Sequence, residues 1–150
     1  MKLSTNFTLA EFTKSQTALR LGIANTMPRE HKDNAILLAK HVLQPVREHF
    51  GITVINSGYR SKQLNKAIGG SNTSQHCSGE AADIEIPGVS NLDVAKWISE
   101  NLEFDQLILE FYSDSDPAAG WVHVSYTSNN NRNQVLTAES VNGKQFTRQD

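Results

Sequence analysis

The sequence has a single cysteine, Cys77, among its 150 residues. With one cysteine no intrachain disulfide can form, and the chain is compatible with synthesis in a reducing cytoplasm. The length is typical of one domain and is enough to bury an apolar core without covalent cross-links. We therefore expect a single domain over residues 1–150, in which the polar residues 138–150 form a loosely held tail.

Long apolar runs and clusters of positive charge are also missing. No segment approaches the ~20 apolar residues of a membrane helix, and residues 1–6 lack the apolar region of a secretory signal peptide. A nucleic-acid interface usually carries a basic patch, whereas this chain has a net charge of −2 and no Lys/Arg cluster. We expect a monomer that is made in the cytoplasm and binds neither membrane nor nucleic acid.

Helical signals fill the first third of the sequence. Thr8 and Glu11 have the spacing of a capping box, which predicts a helix over residues 9–19. Apolar residues at helical spacing predict a second helix over residues 28–50, which Pro45 should kink or split. Three histidines of this region have no carboxylate or cysteine in a recognised ligand pattern, and we expect them on the helix surface: His31, His41 and His49.

Strand signals dominate the remainder. Apolar and β-branched residues predict strands over residues 52–56, 81–86, 107–111, 121–126 and 134–137, and helical spacing predicts helices over residues 62–68 and 92–102. Helices therefore come first, and strands follow with one more helix among them. This order favours the α+β class, with an antiparallel sheet packed against the N-terminal and crossover helices.

An imidazole and a carboxylate, His76 and Asp83, lie seven positions apart with small residues between them. A turn at residues 78–79 lets the backbone fold back, so a loop histidine and a strand aspartate can face the same point. His123, from a later strand, would be a third ligand. Two histidines and one carboxylate leave the fourth position of a catalytic zinc ion open, and the same set also suits other divalent metals.

Strand alternation places acidic and imidazole side chains on one side of the predicted sheet. Successive side chains of a strand point to opposite faces, so Asp83, Glu110 and His123 each lie opposite the apolar face of their strand. A merely amphipathic sheet does not need two acids and an imidazole at these positions. Their coincidence favours a functional site.

The segment Ser74-x-His76-x-x-Gly79-x-Ala81-x-Asp83 resembles the signature of the zinc D-Ala-D-Ala carboxypeptidase family. That family also includes the L-Ala-D-Glu endopeptidases of phage endolysins and the vancomycin-resistance dipeptidases, and hedgehog signalling domains resemble it. Two further segments, Trp121-x-His123 and residues 57–61, are similar to its third-ligand and substrate-binding segments. The resemblance implies a hedgehog/DD-peptidase-like fold.

The resemblance also implies zinc-dependent hydrolysis of a peptide bond in the stem peptides of bacterial peptidoglycan. Zinc bound by the two histidines and the aspartate would polarise the scissile carbonyl and activate a water molecule. Arg60 would bind an oxyanion or a substrate carboxylate through its permanently charged guanidinium. Ser74 and Gln75 are further candidates for orienting a metal ligand or the substrate.

The general base is missing from its usual place. Many members of the family carry a Glu three residues before the last His ligand, where this sequence has Gly120. We assign the base to Glu110, which should lie across a hairpin from His123, within roughly 5–8 Å of it. Its apolar neighbours in the strand should raise its pKa towards a value suited to a base. Other candidates stay open, namely Asp114 and Asp116 in the hairpin loop and Glu80 beside the metal motif.

Two other functions stay open. A non-catalytic zinc-containing module of the same fold would bind a partner without cleaving it, as the resemblance to hedgehog domains suggests. A serine or cysteine hydrolase using Cys77 would need a nucleophile motif, and the sequence has no recognisable one. Within the peptidase function, both D-Ala-D-Ala and L-Ala-D-Glu cleavage fit. A phage lysis system or a virion would bring such an enzyme to the cell wall.

Overall fold

The computed structural model describes residues 1–113, 115–116 and 119–138, together with the backbone of Gly143–Gln145. The helices are α1 Leu9–Thr13, α2 Gln16–Leu21, α3 Arg29–Leu38, α4 Gln44–Phe50, α5 Lys62–Ala67 and α6 Asn91–Asn101. A π-helical turn, Ala39–Leu43, joins α3 to α4, and a 3₁₀ turn, Gln75–Ser78, precedes β4. The strands are β1 Lys2–Ser4, β2 Phe7–Thr8, β3 Val54–Ser57, β4 Ala81–Glu85, β5 Gln106–Glu110, β6 Trp121–Ser125, β7 Gln134–Ala138 and β8 Gly143–Gln145. The predicted α+β class is confirmed.

A six-stranded sheet runs in the order β3-β4-β6-β5-β7-β8, and β1 and β2 form a separate two-stranded sheet. Neighbours in the large sheet are antiparallel except β5 and β7, which run parallel. The parallel pair arises because β6 lies between β4 and β5, so the chain leaving β6 crosses to the outer edge of β5. Backbone hydrogen bonds from Asn133 to Phe104 and from Gln134 to Asp105 close this crossover.

One face of the sheet packs against helices. Alternate apolar residues of β4, β5 and β6 are fully buried on this face, among them Ile84, Leu107 and Val122. Helix α6 contacts β5 and β6, and the same apolar cluster continues through α3 and the π-helical turn. Intervening residues of these strands, among them Asp83, Ile108 and His123, line an open cleft on the other face, as the alternation predicts.

The first predicted helix is divided in two. The capping box of Thr8 and Glu11 forms as expected, but the helix predicted over residues 9–19 ends at Thr13. Ser15 then caps α2 by accepting a hydrogen bond from the backbone N–H of Ala18. The predicted boundary is wrong because a second N-cap side chain lies inside the helical pattern.

The second predicted helix, over residues 28–50, contains a widened turn. The N–H of Gln44 donates to the carbonyl of Ala39, five residues back instead of four. Pro45 has no N–H to donate, and its ring would crowd the preceding regular turn. The π-helical turn accommodates it, so α3 and α4 are joined through this turn without a break. None of the described helices is long and apolar enough to cross a membrane.

The chain beyond β7 contributes one edge strand that the sequence did not predict. Gly143–Gln145 pairs antiparallel with β7, within the segment expected to be a loosely held tail. Three residues without an apolar side chain carry no strand signal. Residues 139–142 and 146–150 lie outside the described residues, and for them the tail stays a prediction.

Candidate metal centre and cleft

Three potential metal ligands meet on the open face of the sheet. Asp83 of β4 and His123 of β6 stand directly opposite each other in the antiparallel register. His76 comes from the 3₁₀ turn, after which Gly79 adopts a left-handed conformation with φ 77° and returns the chain to the sheet. Ligand atoms of the three residues all lie within 4.8 Å of one another. The structure therefore brings together the three residues that the sequence predicts as ligands.

Hydrogen bonding orients the His76 ring. Its Nδ1 lies 2.7 Å from the carbonyl oxygen of Gly58. A carbonyl only accepts, so Nδ1 carries the proton and Nε2 of the neutral ring is an acceptor. Nε2 nevertheless faces the carboxylate Oδ1 of Asp83 at 3.4 Å. In this tautomer both atoms are acceptors that can share one cation, and an imidazole nitrogen beside a carboxylate oxygen is a donor pair that fits a divalent metal.

Asp83 lies at the centre of the cluster. Its Oδ1 is 3.0 Å from Nδ1 of His123, and its Oδ2 accepts a hydrogen bond from Nη2 of Arg60 at 3.3 Å. Burial alone would raise the pKa of this carboxyl. The contacts of the carboxylate with the imidazoles of His123 and His76 outweigh burial, and the pKa lies well below its usual range. Asp83 is therefore an anion at neutral pH.

Arg60 is held against this cluster. Its guanidinium donates to Oγ of Ser57 at 3.0 Å and to Oδ1 of Asn65 at 3.4 Å, in addition to the contact with Asp83. Its backbone N–H donates to the carbonyl of His76 at 3.1 Å. The side chain is only 18% exposed. These contacts fix a positive charge beside the predicted metal ligands.

Glu110 of β5 lines the same cleft, whose volume is about 580 Å³. It pairs with Trp121 across the hairpin and so lies diagonally from His123. The indole Nε1 of Trp121 donates to Oε2 of Glu110 at 2.6 Å, which fixes the carboxylate. Burial raises the pKa of Glu110, and the negative charge of Asp83 raises it further against the opposing effects of His123 and Trp121. Such a carboxylate is suited to general-base chemistry.

A comparison with known families agrees with this geometry. The sequence profile of the family described as Peptidase M15 matches residues 5–125. The chain belongs to the peptidase M15 family. M15 peptidases are zinc-dependent metallopeptidases, so the His–Asp–His cluster has the composition that the family's chemistry needs. No curated protein sequence matches the chain.

This M15 domain has no room for a glutamate at position 120. Gly120 has φ 74°, and a Cβ there would lie 1.9 Å from the carbonyl oxygen of Glu110. Phe111, on the other side of the hairpin, is also left-handed with φ 57°, and its ring centroid lies 5.1 Å from that of Trp121. The hairpin thus excludes a side chain at the position where many family members carry the base.

The other carboxylates proposed as the base are less well placed. Glu80 accepts a hydrogen bond from the hydroxyl of Ser78 and lies outside the described lining of the cleft. Asp116 is exposed on the hairpin loop and pairs through its backbone with Ser113. Asp114 lies outside the described residues. Within the described part of the chain, the geometry therefore favours Glu110.

Ser74 and Gln75 both line the cleft of the M15 domain. The hydroxyl of Ser74 accepts the backbone N–H of His76 at 3.2 Å and so caps the 3₁₀ turn. Nε2 of Gln75 donates to Oδ2 of Asp105 at 2.8 Å. Both residues thus support the turn that presents the histidine, and their contact with substrate stays a prediction.

The remaining candidate side chains lie apart from the cluster. Burial raises the pKa of the Cys77 thiol, which disfavours the thiolate that a cysteine nucleophile needs. His41 and His49 are exposed and stack on aromatic side chains, and His31 is half-buried on α3. Among the described residues, none of these four belongs to the potential metal cluster.

Sequence reasoning missed three residues of the cleft region. Asn65 holds Arg60, and an ion pair on the far wall joins the buried Asp105 to the exposed Arg132. The one sequence signal was Asp105 itself, which closely precedes the apolar run of β5, where a carboxylate that becomes buried needs a partner. The partner itself lies 27 residues further along the chain and has no local pattern.

Proposed function

We propose that this chain is a zinc-dependent peptidase that hydrolyses a peptide bond in the stem peptides of bacterial peptidoglycan. The observation that carries the proposal is the convergence of His76, Asp83 and His123 in one cleft with Glu110 and Arg60. Family membership supports metallopeptidase chemistry. The resemblance of the metal motif to D-Ala-D-Ala carboxypeptidases and L-Ala-D-Glu endopeptidases supports the peptidoglycan substrate.

Each polar group of the cleft has a distinct task in this reaction. Zinc held by the two histidines and Asp83 would polarise the scissile carbonyl and lower the pKa of a water molecule. Glu110 accepts the proton of the attacking water through Oε1, because the Trp121 N–H occupies Oε2. Arg60 stabilises the negative charge that develops on the carbonyl oxygen, or binds a substrate carboxylate. Its three side-chain hydrogen bonds hold the guanidinium in place before substrate arrives.

Digestion of purified peptidoglycan tests this function and identifies the bond that is cut. Zinc-loaded protein should release fragments whose masses, measured by mass spectrometry, correspond to one class of stem-peptide cleavage. Full zinc content without any released fragment would instead support the non-catalytic binding module. Cleavage that persists after complete removal of metal by a chelator would contradict the metallopeptidase mechanism.

A further inference from the structure

The far wall of the cleft carries a second arginine, Arg132, on a buried carboxylate. Asp105 is 3% exposed and precedes β5. Nε and Nη2 of Arg132 donate to its two oxygens, each at 2.9 Å, and the backbone N–H of Arg132 donates at 3.1 Å. Gln75, whose neighbour is the predicted ligand His76, donates to the same carboxylate at 2.8 Å. Asp105 thus fixes Arg132 relative to the metal site.

The guanidinium of Arg132 has one edge engaged and one edge open. Asp105 occupies the Nε–Nη2 edge, whereas Nη1 has no hydrogen-bond partner among the described residues. The side chain is 55% exposed while that of its partner is 5% exposed. The open edge can form a bidentate pair with a second carboxylate, which is the geometry that arginine recognises best.

Arg60 and Arg132 play different parts in this cleft. All three nitrogens of the Arg60 guanidinium already donate, to Ser57, Asn65 and Asp83. The carboxylates of Asp83 and Glu110 lie on the metal side of the same cleft, and they repel a substrate anion there. Arg132 offers open donors near the start of β5, where it contacts Asp105, whereas Glu110 lies at the other end of that strand. A second anionic group of a bound peptide, in addition to the one that Arg60 stabilises, is therefore best accommodated at Arg132.

We propose that Arg132 is a specificity-determining residue that binds a substrate carboxylate outside the scissile peptide group. The inference rests on the proposed peptidase function. In a stem peptide, γ-linkage of D-Glu leaves its α-carboxylate free, and this is the chemical class of group that the open guanidinium edge fits.

Matched peptides that differ only at this carboxylate test the assignment. The probes are L-Ala-γ-D-Glu-L-Lys-D-Ala-D-Ala and the same peptide with the D-Glu α-carboxylate converted to a carboxamide. Zinc-loaded wild-type protein should prefer the acid over the amide by roughly tenfold or more in kcat/KM, as expected for a charge-assisted hydrogen bond. Arg132→Gln should reduce this ratio to near one, because the acid then loses its charged partner and the amide has none to lose. Arg29→Gln, an exposed arginine outside the described cleft lining, should keep the wild-type ratio.

Two further measurements keep the outcomes distinct. Arg132→Gln leaves the buried carboxylate of Asp105 without its cation, which can destabilise the fold. The double variant Asp105→Asn/Arg132→Gln removes both charges, and it should show the same loss of preference for the acid peptide over the amide peptide. Calorimetric Kd values of both peptides with zinc-loaded protein report the preference even when no cleavage occurs. Absence of cleavage by wild type would overturn the proposed peptidase while the Kd ratio still decides the role of Arg132. An equal fall for acid and amide, or an unchanged ratio, would overturn the assignment of Arg132.

Discussion

Glutamine in place of Glu110 removes the proposed base with little change in shape. The amide keeps an oxygen that can accept the Trp121 N–H, and it removes a charge that burial and Asp83 both disfavour. We therefore expect the free energy of unfolding to change by less than about 1 kcal/mol. Loss of a general base slows catalysis by roughly 10²–10⁴-fold, which corresponds to about 3–5 kcal/mol of activation free energy.

The assay measures zinc content and peptidoglycan cleavage on the same sample of Glu110→Gln protein. Zinc should be retained, because Glu110 is not one of the predicted ligands, while cleavage is lost. Glu85→Gln is the matched control, since Glu85 accepts a hydrogen bond from Asn56 and lies outside the described lining of the cleft. Retained cleavage in Glu110→Gln, or loss confined to Asp116→Asn or Asp114→Asn, would refute the assignment of the base.

Three further changes probe other parts of the cleft. Arg60→Lys should keep the fold and the zinc but lose roughly 10²–10³-fold in kcat. One ammonium group cannot replace the three hydrogen bonds that position the guanidinium. Near wild-type turnover would contradict the role of Arg60 in stabilising negative charge. Gly120→Ala should lower the melting temperature by much more than Gly69→Ala does. Both glycines have a positive φ, but of the two only position 120 lacks space for a Cβ. Equal decreases in melting temperature would disprove the steric argument. The hydrogen bonds of Arg132 lower the pKa of Asp105. The ionised Asp105 therefore stabilises the fold above pH ~4, and this contribution is lost as the pH falls further. Asp105→Asn should flatten the acid side of the plot of unfolding free energy against pH, and an unchanged plot would contradict the linkage.

The placement of the metal cluster follows from local patterns in the sequence. Period-two alternation puts Asp83, Glu110 and His123 on the polar faces of their strands, and the antiparallel register then brings Asp83 and His123 opposite each other. The turn at Gly79 supplies the reversal that brings His76 to them. The alternation and the turn depend on short-range backbone geometry, which residue type and spacing largely determine, whereas the register joins two residues 40 positions apart.

The rest of the cleft depends on contacts that no local pattern encodes. Arg132 and Gln75 reach Asp105 from 27 and 30 residues away in the chain. The exclusion of a side chain at Gly120 depends on the backbone path at Phe111, which only the folded hairpin defines. The parallel pairing of β7 with β5 likewise follows from the position of β6 inside the sheet and not from the residues of β7.

Zinc stoichiometry tests the central claim most directly. By elemental analysis the purified wild-type protein should hold about one zinc per chain. His76→Ala and His123→Ala should lose both the metal and the cleavage activity, whereas His41→Ala, which alters a stacked surface histidine, should retain both. Full zinc content in either ligand variant would contradict the proposed metal centre.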